Sequence, residues 1–375
     1  MNNTHKPIPL LVSEVDHYLI PGPDENGAYD NTFQKAGYRQ QQSDPEGFLL
    51  LAKEQHRNLC AIFEKVSGVA PIRMPAKRGL GDAVFTSDPF ITITVPDGNS
   101  AKRLILPSKF TNIHRHDEVP YATKFLHKTL KKNPQLSLPQ QFAKAANDNA
   151  SIPGKIINFL AWKLWKNKTK VIQPRFNIEG SGDNTYDTYR GCYWSGHVAP
   201  DQKGTSAAGR SHKEAHTFLQ AATSIPVHSI ELVKPFFHID TIMCPLPCGR
   251  IMVYPDGMTP ESFAYFKKAA FENYGLDPDE YMIEVSKEDA YAYGCNARVM
   301  NDQDSNKHII MPNCSEQLQQ RLTDANYIVH TVELSCFLAS GGGVKCLSHN
   351  IGLEHKEGGT SAIITDMPIH EPLAA

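Results

Sequence analysis

Pairs of short strands, each followed by an amphipathic helix and one further strand, recur along the second half of the chain and constrain its fold more than any other feature. Val227–Val233, Phe236–Met243 and Arg250–Tyr254 read as strands. Thr259 then suits a helix cap and Pro260 the first helical position, with Phe263, Phe266 and Ala270 as the apolar stripe. Tyr281–Val285 follows as a strand. Leu318, Leu322 and Ala325 mark another helix, and Tyr327–Glu333 the strand after it. Ser211 and Glu214 have capping-box spacing ahead of Phe218, Leu219 and Ala222. The units match in pattern but not in sequence. They predict an α/β fold of short strands with amphipathic helices on one side.

The first half is less regular. A helix is expected over Pro45–Val66 and a strand over Val84–Val95, where Ile91, Ile93 and Val95 alternate with Thr92 and Thr94. Pro96–Asn99 reads as a turn, and Arg103–Leu106 as a second strand closing a hairpin. The first 45 residues are rich in Pro, Asn and Gln and read as an extended or loosely ordered polar leader to a single domain over 46–375. Within that domain, 131–173 reads as an insertion. It is polar over Gln140–Ser151, then basic and aromatic, with Trp162 and Trp165 set among the five lysines of Lys155–Lys170. Packing of this segment on its own domain is the preferred reading; a membrane-surface or partner helix is the competing one.

Composition narrows the functional class. With 375 residues, 41% of them hydrophobic, the chain can bury a large core. The balance of 38 Lys+Arg against 40 Asp+Glu argues against a nucleic-acid binder. Met1–Leu10 lacks the basic and apolar regions of a secretory signal, and no apolar run reaches the roughly 18 residues of a membrane span, so the expected location is the cytoplasm. The eight cysteines are too scattered for a disulfide framework and read mostly as buried thiols. Cys244 and Cys248 lack a second ligand pair for zinc, and the sixteen histidines include no ligand-spaced pair. His114-Arg115-His116 reads as a solvated turn. No metal or cofactor is expected, and a homo-oligomer stays open.

Four segments carry chemistry: Phe85-Thr86-Ser87-Asp88-Pro89, Glu179-Gly180-Ser181-Gly182-Asp183, Phe237-His238-Ile239-Asp240-Thr241, and Gly341-Gly342-Gly343-Val344-Lys345-Cys346-Leu347. Each alone is weak. The triple glycine lacks the spacing and Lys-Ser/Thr ending of a phosphate loop. Together they supply a cysteine, a histidine and several carboxylates beside glycine turns, which is a nucleophile–base–orienter set.

In this order the four motifs resemble the guanidino-modifying penteins: arginine deiminases, dimethylarginine dimethylaminohydrolases, arginine dihydrolases and glycine amidinotransferases. The resemblance runs from about Gly79 to Ile351. It implies a five-fold pseudosymmetric α/β propeller of ββαβ-type units with the site in a central channel. It also implies Cys346 as nucleophile, His238 as general acid/base, and Glu179 as the carboxylate that orients the histidine or binds the guanidinium. Asp88 and Asp240 match the carboxylates holding guanidinium N–H groups. Arg210 sits near the position of an arginine for a substrate carboxylate, although Gly191–Ala208 departs from the family spacing. Asn296 matches a substrate-side position of no firm role. The implied partner is a small guanidino compound, and the implied activity is hydrolysis of arginine or a close derivative. In dihydrolase-like relatives the Asp88 position is commonly asparagine, so aspartate favours a single hydrolytic step. Amidino transfer to an amine and a non-catalytic binding protein are the alternatives.

Overall fold

The computed structural model describes residues 9–97, 100–132, 169–197 and 210–352. The chain begins with β1 (Leu10–Ser13), α1 (Gln34–Ser43), α2 (Pro45–Ser67) and β2 (Ile72–Met74). Next come β3 (Phe90–Asp97), β4 (Ser100–Pro107), α3 (Glu118–Lys132) and β5 (Thr169–Val171). They are followed by β6 (Asn184–Asp187), β7 (Cys192–His197), α4 (Lys213–Thr223) and β8 (Val227–Glu231). Then follow β9 (Met243–Pro245), β10 (Ile251–Val253), α5 (Pro260–Ala270) and β11 (Met282–Glu284). The last group is β12 (Arg298–Asn301), β13 (Lys307–Pro312), α6 (Glu316–Asp324) and β14 (Ile328–Val332), and β15 (His349–Asn350) ends it.

The strands form five three-stranded sheets among the described residues. β3 and β4 pair antiparallel, and β5 returns parallel to β4 after α3. β6–β7–β8, β9–β10–β11 and β12–β13–β14 repeat this order around α4, α5 and α6. The logic is geometric. A short turn can join antiparallel neighbours, but a parallel neighbour requires a crossover, which the helix supplies. The remaining sheet is assembled from both ends of the chain. β15 runs antiparallel to β1, and β1 lies parallel to β2 across α1 and α2.

Local signals explain the helix limits. Asp44 caps α2 by accepting the N–H of Gly47, Pro45 opens it, and left-handed Gly68 closes it at φ 70°. Its Phe48, Ala52, Leu59, Phe63 and Val66 are buried on the inward stripe. In α5 the Thr259 hydroxyl accepts the N–H of Ser262.

Several expectations need correction. The residues read as a loose leader hold β1 and α1, because Leu10, Leu11 and Val12 form the buried middle strand of a sheet. The strand expected from Val84 starts only at Phe90; Gly81–Val84 is a 3-10 turn. Phe236–Met243 is not one strand. It is interrupted by a 3-10 turn at Ile239–Thr241, where Thr241 Oγ1 donates to the carbonyl of His238 at 2.6 Å. Ser211 does not cap α4, whose N-cap is His212; its hydroxyl donates instead to the buried Asp183 at 2.7 Å. Trp162, Trp165 and most of the expected insertion lie outside the described residues.

One buried ion pair ties two neighbouring units. Asp187 Oδ2 lies 2.8 Å from Arg190 Nη1 with neither side chain exposed, and it also accepts from Trp194 Nε1 at 3.2 Å. The same guanidinium donates to the carbonyls of Ala270 and Gly249. Asp187→Ala leaves that cation buried without its counter-charge. Urea unfolding should therefore show a loss of about 3–5 kcal/mol. A loss under about 1 kcal/mol would mean that water replaces the carboxylate at no cost.

Candidate active site

Cys346 sits in a loop whose shape glycine permits. Gly341 adopts φ 100°, and a side chain on Gly342 would collide with the Phe85 ring. Asn296 then fixes the loop. Its Oδ1 accepts the N–H groups of Lys345 and Cys346 at 3.0 and 3.1 Å, and its Nδ2 donates to Cys346 Sγ at 3.1 Å. Arg298 donates to the carbonyl of Lys345 and to Ser348 Oγ, both at 3.1 Å. The oxygens of Asp240 lie 3.8 and 4.0 Å from the sulfur.

His238 precedes the Ile239–Thr241 turn. Its Nε2 donates to Glu179 Oε2 at 2.9 Å. Glu179 is fully buried; its Oε1 accepts from the N–H of Thr111 at 3.2 Å, and its Oε2 meets Arg210 Nη1 at 3.4 Å. Arg210 lies over the Phe237 ring, 4.7 Å from its centroid. Gly182 allows the close approach, since a Cβ there would stand 2.8 Å from both His238 Nδ1 and Asp88 Oδ1. Asp88 gives Oδ2 to Arg115 Nη1 at 3.0 Å, while its buried Oδ1 has no hydrogen-bond partner among the described residues.

Cys346, His238, Asp88 and Arg210 line one pocket with Arg115, Asp82, Phe237, Asn31 and Gln34. Glu179 stands behind His238 and Asp240 beside the thiol. Asn296, expected on the substrate side, has both amide atoms engaged by the nucleophile loop.

The remaining pocket residues had weak signals. The sequence places Arg115 in a solvated turn, yet it is 3% exposed and bridges Asp88 to Glu118. Its partners lie across the fold or a helical turn away, so local sequence shows only a basic triplet. Asn31 and Gln34 come from the segment read as a leader.

Charge balance orders the protonation states. Burial pushes the His238 imidazole down, but Asp183, Glu179 and Asp88 outweigh it and hold the pKa at about 9. Burial also opposes ionisation of Glu179, yet Arg210 and His238 keep its carboxylate below the ordinary range. Burial first, then Asp240 and Asp88, drives the Cys346 thiol well above its ordinary value. At neutral pH the site thus presents an imidazolium and a protonated thiol. An added cation at Asp88 would ease ionisation of the sulfur.

Known proteins similar to this chain include arginine dihydrolases and a dimethylarginine dimethylaminohydrolase, which are guanidino-group enzymes. No family model matches the sequence. The bifunctional arginine dihydrolase/ornithine cyclodeaminase ArgZ of Synechocystis sp. is 31% identical over 175 residues, which is 46% of this chain and 21% of ArgZ. The N(G),N(G)-dimethylarginine dimethylaminohydrolase of Mycobacterium tuberculosis is 33% identical over 144 residues, 38% of this chain and 43% of that enzyme. The chain therefore matches less than half the length of these relatives. By structure, the substrate-bound N-terminal domain of ArgZ superposes with a TM-score of 0.67 at 21% identity, over 93% of this chain and 100% of that domain. A dimethylarginine dimethylaminohydrolase adduct gives 0.53 at 15% identity, over 91% and 98%. These superpositions establish a shared mixed α/β fold.

Proposed function

We propose that this chain hydrolyses the guanidino group of arginine or a close derivative through an amidino-thioether on Cys346. The observation that carries this reading is the convergence of Cys346, His238 and the unpartnered Oδ1 of Asp88 on one small pocket. Five ββαβ units closing around that pocket as a propeller would explain why Asp88, Glu179, His238 and Cys346 come from four different units.

The chemistry follows from the charges. A guanidinium is planar and resonance-stabilised, so its carbon resists attack until its N–H groups are gripped and its plane is fixed. Asp88 Oδ1 and Asp240 accept those N–H groups. The bound cation stabilises the Cys346 thiolate, whose proton leaves to solvent. The sulfur attacks the guanidino carbon, and the tetrahedral adduct expels an amine that takes its proton from the imidazolium of His238. The neutral imidazole then removes a proton from water, which attacks the amidino carbon and releases the sulfur. Glu179 holds His238 in place through both half-reactions, and Arg210 offers a cation to a carboxylate on the substrate's tail.

The relatives bear on the leaving group. ArgZ is named an arginine dihydrolase, and the mycobacterial relative acts on dimethylarginine. A panel of arginine, methylated arginines, agmatine and guanidinoacetate, with ammonia, amine and urea products measured, tests the reading. We expect turnover of at least one member with an adduct on the Cys346 peptide. No turnover and no adduct across the panel would remove the reading. Turnover only with an added amine acceptor would replace hydrolysis by transfer.

A further inference from the structure

The residue before the nucleophile carries a charge that the mechanism above does not use. Lys345 is 8% exposed although it belongs to a residue type that normally stays in water. Its Nζ reaches Asp240 Oδ2 at 3.4 Å, the carbonyl of Ser181 at 3.1 Å and Thr185 Oγ1 at 2.5 Å. The last two belong to the Glu179–Asp183 turn and the strand after it. One ammonium thus connects the nucleophile loop, the carboxylate beside the sulfur and the segment that carries Glu179.

Its placement matters because Asp240 is a fully buried carboxylate whose oxygens lie 3.8 and 4.0 Å from Cys346 Sγ. Two like charges so close and so dry repel strongly. Asp88 adds a second negative charge to the same sulfur, and the Tyr293 phenol faces it as a further acid. On the cationic side stand His238, Arg115 and Arg210 across the pocket, and Arg298 behind the loop. His238 and Arg210 are engaged by Glu179, and Arg115 by Asp88 and Glu118. Arg298 spends its donors on Ser348 and the carbonyl of Lys345. Lys345 is the ammonium placed against Asp240 itself.

We propose that Lys345 is a positioning residue that neutralises Asp240, so that Cys346 can ionise beside that carboxylate. By taking Oδ2 it also leaves Oδ1 to accept a guanidinium N–H, which is the part of the inference that rests on the proposed function. Burial raises the Asp240 carboxyl, and Lys345 is the largest influence drawing it back towards ionisation.

The test reads the thiol rather than turnover, so it stands even if no guanidino compound is a substrate. The rate of Cys346 carbamidomethylation by iodoacetamide is followed from pH 6 to 11 by mass spectrometry of the Cys346 peptide. The proteins are wild type, Lys345→Met, Lys345→Arg and the double variant Lys345→Met/Asp240→Asn. Lys345→Met should move the titration midpoint up by about one pH unit, which is about tenfold slower alkylation below the midpoint. Lys345→Arg should move it by less than half as much. The double variant should return it to the wild-type position or below, because the charge that needed neutralising is gone. An unchanged midpoint in Lys345→Met, with only the melting temperature lowered, would overturn the proposal. So would a double variant that stays as high as the single one. If Lys345→Met does not fold, the double variant is compared with wild type directly: a midpoint at or below the wild-type one supports the proposal, and one about a unit above it overturns it.

Discussion

Cys346→Ala should abolish hydrolysis of the best guanidino substrate by about 10,000-fold or more while leaving its dissociation constant within about tenfold of wild type. The asymmetry follows from the site's construction. The groups that would grip the guanidinium are Asp88, held by Arg115, and Asp240, held by Lys345, and neither depends on the sulfur for its position. Asn296 would lose its contact with Sγ but keep both backbone N–H groups of the loop. Steady-state kinetics with isothermal titration of the variant check both halves. An adduct of wild-type protein and its absence from the variant would be seen by intact mass. Hydrolysis that survives in the variant would remove the nucleophile from the mechanism, and loss of binding along with turnover would point to a collapsed pocket.

Glu179→Gln should lower kcat by about 100- to 1,000-fold and destabilise the fold by about 3 kcal/mol near neutral pH. The side chain is fully buried and serves His238, Arg210 and the N–H of Thr111 at once. Glutamine can replace an acceptor but not the charge. The pH dependence distinguishes this loss from a packing defect. The His238 pKa is raised from 6.5 to about 9, so its interactions stabilise the fold fully below pH 6.5 and cease to do so as pH rises through about 9. The variant's deficit in urea unfolding should therefore be largest at pH 6.5 and shrink above pH 9. A deficit of constant size across that range would mean that Glu179 acts through shape alone.

What could be read from the chain divides by the range of the interaction. Strand pairs and helices announced themselves because their signals are local: alternation at Ile91–Val95, the cap at Thr259, the stripe through Leu318 and Leu322. The four motifs were visible because each site residue carries its own glycine or strand-end context. Contacts made by long side chains across the fold left no such mark. Arg115 shows only basic neighbours in sequence, and its role emerges from Asp88, which lies 27 residues away. Lys345 stands inside a motif that was recognised, yet its ammonium points to Thr185, 160 residues distant. Ser211 carried a correct local pattern that lost to a stronger demand. The buried Asp183 needs a donor, and the Ser211 hydroxyl supplies it while accepting the N–H of Glu179 at 3.0 Å. At Phe236–Met243 the apolar run imitates a strand, but the N–H of Asp240 turns to the carbonyl of Gly182, which brings this segment against the glutamate turn.

The pairing of β1 with β15 also sets the order in which a ribosome can produce a competent molecule. Leu11 emerges early and must wait for His349, which leaves the exit tunnel more than three hundred residues later. Until then the middle strand of that sheet has an open edge, and the loop bearing the sulfur has no anchored far end. The nucleophile thus joins the site only after His238 and Glu179 have been made, and a translation product truncated between them and Cys346 would carry the histidine and its glutamate without a nucleophile.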